Sequence, residues 1–78
     1  MSVTDDLADA LARDTIAAME KTGDENLINE VAKQLAATST TSEEAFMTSI
    51  RVRLAERRAR NYLKKRLSDF AAGKSQDE

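Results

Sequence analysis

The feature that most constrains this chain is a long helix-forming stretch in its second half. It runs over residues 43–72, contains no glycine or proline, and is rich in Leu, Ala, Arg and Lys, which have high helix propensity. Thr41 with Glu44 three residues later has the form of a capping box, and Gly73 supplies the left-handed position that commonly ends a helix. The stretch predicts one helix over residues 42–72, about 45 Å long at about 1.5 Å per residue.

The apolar residues of this predicted helix do not form one face. At about 100° per residue, they form two sets whose mean directions differ by roughly 165°. One set contains Phe46, Met47, Ile50 and Leu54, and the other contains Val52, Ala59, Leu63, Leu67 and Phe70. Because no glycine or proline lies near Arg57, we expect an unbroken helix whose ends meet different neighbours, not a helix that bends there.

Two shorter helices are predicted before it. The first covers residues 4–22, with Thr4 as N-cap and Gly23 as the stop signal. The second covers residues 25–37, with Asp24 as N-cap, and its apolar residues recur at helical spacing: Leu27, Ile28, Val31, Ala32 and Leu35. The prediction is therefore an all-α fold with two short helices and one long C-terminal helix. We expect a single helical domain over residues 1–73, a frayed tail over residues 74–78, and a small bundle that dimerisation can complete.

Two arrangements of these helices remain open. In one, the second helix packs on the first half of the long helix and covers Phe46, Ile50 and Leu54, while Leu63, Leu67 and Phe70 stay exposed for another copy of the chain. In the other, the long helix is sandwiched between the two short ones in a compact bundle. The short helices, about 27 and 20 Å long, are each too short to cover a helix of about 45 Å, so we favour the first arrangement.

Composition argues against catalysis and for a partner. The chain of 78 residues has no Cys and no His, so we expect no enzyme, no cofactor and no metal site. A core of this size is marginal alone, and without disulfides or zinc the remaining remedy is self-association. The absence of Cys fits a reducing compartment, and no signal peptide or transmembrane segment is evident, so we expect a cytoplasmic protein.

Charge is distributed unevenly along the chain. Residues 1–44 carry ten acids and three bases, whereas residues 45–78 carry four acids and nine bases. A row of four cations, Arg53, Arg57, Arg60 and Lys64, falls within about 60° of one side of the long helix. Such a row can contact phosphates, or it can face the acids of the first two helices within the molecule or across a dimer.

These observations give two functional hypotheses. The leading one is a small non-catalytic protein-interaction or regulatory module, whose partner is itself or another protein. It would associate through Leu63, Leu67 and Phe70, with Arg57 and Arg60 as part of a charged rim. The alternative is sequence-nonspecific nucleic-acid binding through Arg53, Arg57, Arg60 and Lys64. It is the weaker reading, because Glu43 and Glu44 begin the predicted helix and Tyr62 is the only aromatic residue among the cations.

Overall fold

The computed structural model describes residues 2–73, which form three helices and no strand. Helix α1 spans Val3–Thr22, α2 spans Leu27–Ala36 and α3 spans Thr40–Ala71. The all-α prediction and the two-short, one-long pattern are confirmed. The predicted tail at 74–78 lies outside the described residues. In the part of the chain that is described, no helix is both long and apolar enough to cross a membrane.

The N-terminal boundaries of α1 and α3 differ from the sequence predictions. Helix α1 begins one residue earlier than predicted, because Ser2, not Thr4, is the N-cap and accepts a hydrogen bond from Asp5 N at 3.1 Å. Helix α3 begins two residues earlier than predicted. Ser39 replaces Thr41 as its N-cap and accepts from Ser42 N at 3.1 Å. In both places, another hydroxyl residue two positions upstream caps the helix.

The boundaries of α2 were also misplaced. Asp24 does not cap this helix, because its carboxylate accepts a hydrogen bond from Asn26 N at 3.0 Å in the turn before it, and α2 starts at Leu27. The two predicted glycine stops are confirmed. Gly23 and Gly73 have φ of 77° and 83°, the left-handed region in which a Cβ atom is disfavoured.

The helices run up, down and up, so that α1 and α3 are parallel and α2 is antiparallel to both. This direction follows from two ion pairs: Asp9 contacts Arg53, and Glu20, further along α1, contacts Arg57, further along α3. Helix α1 makes a more extensive contact with α3 than α2 does. Sequence analysis had assigned the main cover of the first half of α3 to α2.

The core of the bundle is small and rich in alanine. Among the described residues, six hydrophobic side chains are buried, and Phe46 is the only large one that is completely enclosed. The other five are Ala8, Ala12, Ile16, Ala32 and Ile50. The apolar stripe of α2 is mostly half-buried, and only Ala32 in it is fully covered. Thr15 is the one buried polar residue, and its hydroxyl donates to Leu11 O at 2.8 Å.

Helix α3 is one continuous element of 32 residues, as predicted, and it is longer than the bundle it belongs to. We call residues 57–71 the projecting half, and we call α1, α2 and residues 40–56 of α3 the bundle. Because of this projection, the molecule measures 53 × 30 × 17 Å. Its radius of gyration is 16.7 Å, whereas a compact chain of this length would have about 11–12 Å. The structure therefore favours the first arrangement: Phe46 and Ile50 are buried in the bundle, Leu54 is half-buried, and the described residues leave Leu63, Leu67 and Phe70 exposed.

Candidate interaction surface

Three large apolar side chains on the projecting half form what we call the exposed row: Leu63, Leu67 and Phe70. Their exposed fractions are 53%, 61% and 80%. Their spacing of four and three residues places them on one side of α3 within about 60°. Val52 lies on the same side in the bundle and is also exposed, at 62%. The predicted exposure of the row is confirmed, and its role in association stays a prediction.

Cations surround the exposed row. The projecting half carries six basic residues and one acid, Asp69, for a net charge of +5. Residues 2–56, which contain the bundle, carry eleven acids and five bases, for a net charge of −6. The folded chain therefore has an acidic body and a basic extension, and these two parts of separate molecules attract each other at low salt.

The first cation of the predicted row, Arg53, is held by α1. Its guanidinium donates two hydrogen bonds to the Asp9 carboxylate, from Nε to Oδ1 at 2.8 Å and from Nη2 to Oδ2 at 2.7 Å. This bidentate geometry stabilises the charged form of both groups. The hydrogen bond from Arg53 holds the pKa of Asp9 below its ordinary value, and the same hydrogen bond raises the pKa of Arg53.

The next two cations of the row also meet carboxylates. Arg57 forms an ion pair with Glu20 of α1, and Arg60 donates from Nε to Glu56 Oε2 at 2.7 Å, one turn back on α3. Lys64 makes no ion pair with any residue in 2–73. Intramolecular acids thus neutralise three of the four residues in the nucleic-acid hypothesis, which leaves less positive charge for phosphates.

Two further contacts order the side chains of the projecting half. Lys65 pairs with Asp69 at 3.0 Å, and Arg66 donates to the Tyr62 hydroxyl at 2.7 Å. The Arg66 guanidinium carbon also lies 5.7 Å from the centre of the Tyr62 ring, a cation–π distance. Both pairs join residues four apart, so they support the helix where no other element packs on it.

Sequence analysis missed a second exposed apolar site, on α1. Val3 and Leu7 are 74% and 67% exposed, and they line a shallow groove together with Leu11 and Leu35. Leu7 recurs at helical spacing with Leu11, so the sequence alone places it on the apolar face of α1. Alanines occur all round this helix, so the apolar face was too broad to show which side is buried.

Within 2–73, no group of three or more acidic residues is placed to hold a metal ion. Comparison with protein-family models, curated proteins and solved structures finds no significant match to this chain. The class of protein therefore follows from the fold and its surface: it is a small all-helical protein with an acidic three-helix bundle and a basic helical extension that has an apolar face.

Proposed function

We propose that this protein is a non-catalytic helical interaction module that associates with itself through the projecting half of α3. The observation that carries the proposal is the exposure of Leu63, Leu67 and Phe70 on a helix that extends beyond its own bundle. Soluble monomers rarely expose large contiguous apolar patches, and such patches usually mark interaction sites. A helix without tertiary contacts is also only marginally stable in water. Association supplies the missing cover.

Two properties of the molecule favour a second copy as the partner. Among residues 2–73, six hydrophobic residues are buried, and three of them are alanines, so this part of the chain buries little apolar surface by itself. The acidic body and the basic extension are also complementary in charge, and every copy carries both. A second copy can therefore provide apolar cover and opposite charge at the same time.

The test is sedimentation of the full chain from micromolar to millimolar concentration. We expect the apparent mass to rise from 8.6 kDa towards twice that value. We expect Leu63→Asp to remain at the monomer mass, because a carboxylate in the exposed row would have to be buried unpaired. Circular dichroism should show that this variant keeps its helices, since Leu63 is exposed and lies outside the buried core.

A matched control adds the same charge elsewhere on the projecting half. Ser68 is exposed and lies on the opposite side of α3 from the exposed row, so Ser68→Asp should associate like the unmodified chain. A chain that stays monomeric at every concentration refutes self-association. If the unmodified chain is already a monomer and Leu63→Asp unfolds it, Leu63 belongs to the core. Binding of duplex DNA or RNA that weakens steeply with salt, by a chain that stays monomeric, would favour the nucleic-acid alternative instead.

A further inference from the structure

The side of α3 that carries the exposed row continues into the bundle. Ala45, Thr48 and Val52 lie within the same 100° sector as Leu63, Leu67 and Phe70, with Glu56 and Ala59 between the two groups. Thr48 and Val52 are exposed and Ala45 is half-buried, so this side of α3 is open along its length. The residues from Ala45 to Phe70 span about 38 Å at 1.5 Å per residue.

The spacing along this side is symmetric. From Ala45 to Phe70 the steps are 3, 4, 4, 3, 4, 4 and 3 residues, which read the same in both directions about a midpoint between Arg57 and Arg58. The underlying repeat is eleven residues, or about 3.67 per turn, close to the 3.6 of a straight helix. A stripe with this repeat stays on one side of a nearly straight helix, so two such helices can pack along their full length.

We propose that two copies pair along α3 in an antiparallel arrangement with two-fold symmetry, so that the projecting half of each copy lies in the groove between α1 and α3 of the other. This inference rests on the self-association proposed above and specifies its acceptor surface. In a two-fold interface, each contact from the first copy to the second is repeated from the second to the first. Both exposed rows are therefore covered in one closed dimer.

The pairing places large side chains opposite small ones. With the midpoint between Arg57 and Arg58, Phe70 faces Ala45 of the other copy, Leu67 faces Thr48, and Leu63 faces Val52. In the centre, Ala59 of each copy faces Glu56 of the other. The Glu56 carboxylate of one copy is also level with Arg60 of the other copy. Alternation of large and small residues across an interface allows close packing.

Charge points to the same acceptor. Asp5 and Asp9 lie along the α1 edge of the groove whose floor is formed by Ala45, Thr48 and Val52. Two-fold rotation brings the flank of the projecting half that carries Arg60 and Lys64 to this edge. Lys64, which has no ion pair within residues 2–73, then lies near the two carboxylates. Pairing of the two projecting halves alone would instead bring their +5 charges together, which is unfavourable.

The first experiment uses Val52→Asp, with Ser68→Asp as the matched control, in the sedimentation assay. Val52 is 62% exposed, so the substitution should leave the fold intact, as circular dichroism can verify. We expect Val52→Asp to be monomeric, because Val52 faces Leu63 of the other copy. If Leu63→Asp abolishes the dimer and Val52→Asp does not, self-association stands and the extended antiparallel pairing is wrong.

The second experiment measures the register directly. The chain has no Cys, so Ser68→Cys can carry a single spin label. In the proposed dimer, residue 68 of the two copies is separated by about 32 Å along the helix axis, which predicts an electron–electron distance of about 30–40 Å. Pairing of the projecting halves alone would bring the labels within about 25 Å, given interaxial distances of about 8–10 Å. A short distance would overturn the proposed register without refuting self-association.

Discussion

The two phenylalanines of this chain provide a matched test of the fold. Phe46 is fully enclosed in the bundle, whereas Phe70 is 80% exposed on the projecting half. Removing a buried phenylalanine side chain costs about 3–5 kcal/mol, from lost burial and from the cavity left behind. Phe70 has only a fifth of its surface covered, and since full burial is worth about 1.5–3 kcal/mol, Phe70→Ala should cost about 0.5 kcal/mol or less.

The assay is urea unfolding followed by circular dichroism at a concentration low enough for the monomer to dominate. A domain of this size has a total stability of about 4–12 kcal/mol, so Phe46→Ala should remove a large part of it. With an m value near 1 kcal/mol per M, the midpoint should fall by roughly 3 M, whereas Phe70→Ala should shift it by about 0.5 M or less. If Phe46→Ala fails to fold, Phe46→Leu should still show a loss of about 1–1.5 kcal/mol.

Two outcomes would refute the reasoning. A shift under about 0.5 kcal/mol for Phe46→Ala, the size of an ordinary surface change, would show that Phe46 is not the centre of the core. A loss above about 2 kcal/mol for Phe70→Ala in the dilute monomer would show that Phe70 is covered within one chain. At high concentration, in contrast, Phe70→Ala should become destabilising, because association stabilises the folded state by mass action.

The remaining predictions concern a glycine and an ion pair. Gly23→Ala should lower the free energy of unfolding by about 1 kcal/mol, because the φ of residue 23 is +77°, although the space around it is open. Gly23→Asn should cost less. An unchanged melting temperature for the alanine variant would contradict this prediction. The pKa of Asp9 is lower in the folded chain than in the unfolded chain, where it is about 3.9. The ionised carboxylate therefore stabilises the fold at pH values above about 3.9, and this stability is lost as the pH falls through the folded pKa. Arg53→Gln should remove this acid-dependent part and raise the pKa of Asp9 in an NMR titration; an unchanged pKa would show that the pair does not form in solution.

The lengths of the three helices explain why the exposed half of α3 could be predicted from the sequence. A stretch of about 30 residues with high helix propensity, bounded by the hydroxyl run 38–42 and by Gly73, specifies its own extent, and neither preceding helix is long enough to cover it. The opposite directions of the Phe46 set and the Leu63 set indicated that different partners would be needed. The structure confirms the unbroken helix and the exposure of Leu63, Leu67 and Phe70.

Other features had no local signal strong enough to decide them. Five hydroxyl residues in succession, 38–42, can each cap a helix, and the choice of Ser39 depends on where α2 ends. The pairing of Arg53 with Asp9 joins residues 44 apart, so no short pattern contains both. The basic row is evident in the sequence, but the pairing of Arg53 and Arg57 with α1 follows from the parallel alignment of α1 and α3, which periodicity does not specify.

The parallel alignment of α1 and α3 also affects the order in which the bundle can form. Residues of α1 such as Asp9 and Glu20 meet partners that are made more than thirty residues later, Arg53 and Arg57. A nascent chain that ends before residue 40 has both short helices but lacks the surface of α3 on which α1 packs. With synthesis at about 5–20 residues per second, α1 waits seconds for that surface. Topology therefore makes closure of the bundle a late event in the biosynthesis of this protein.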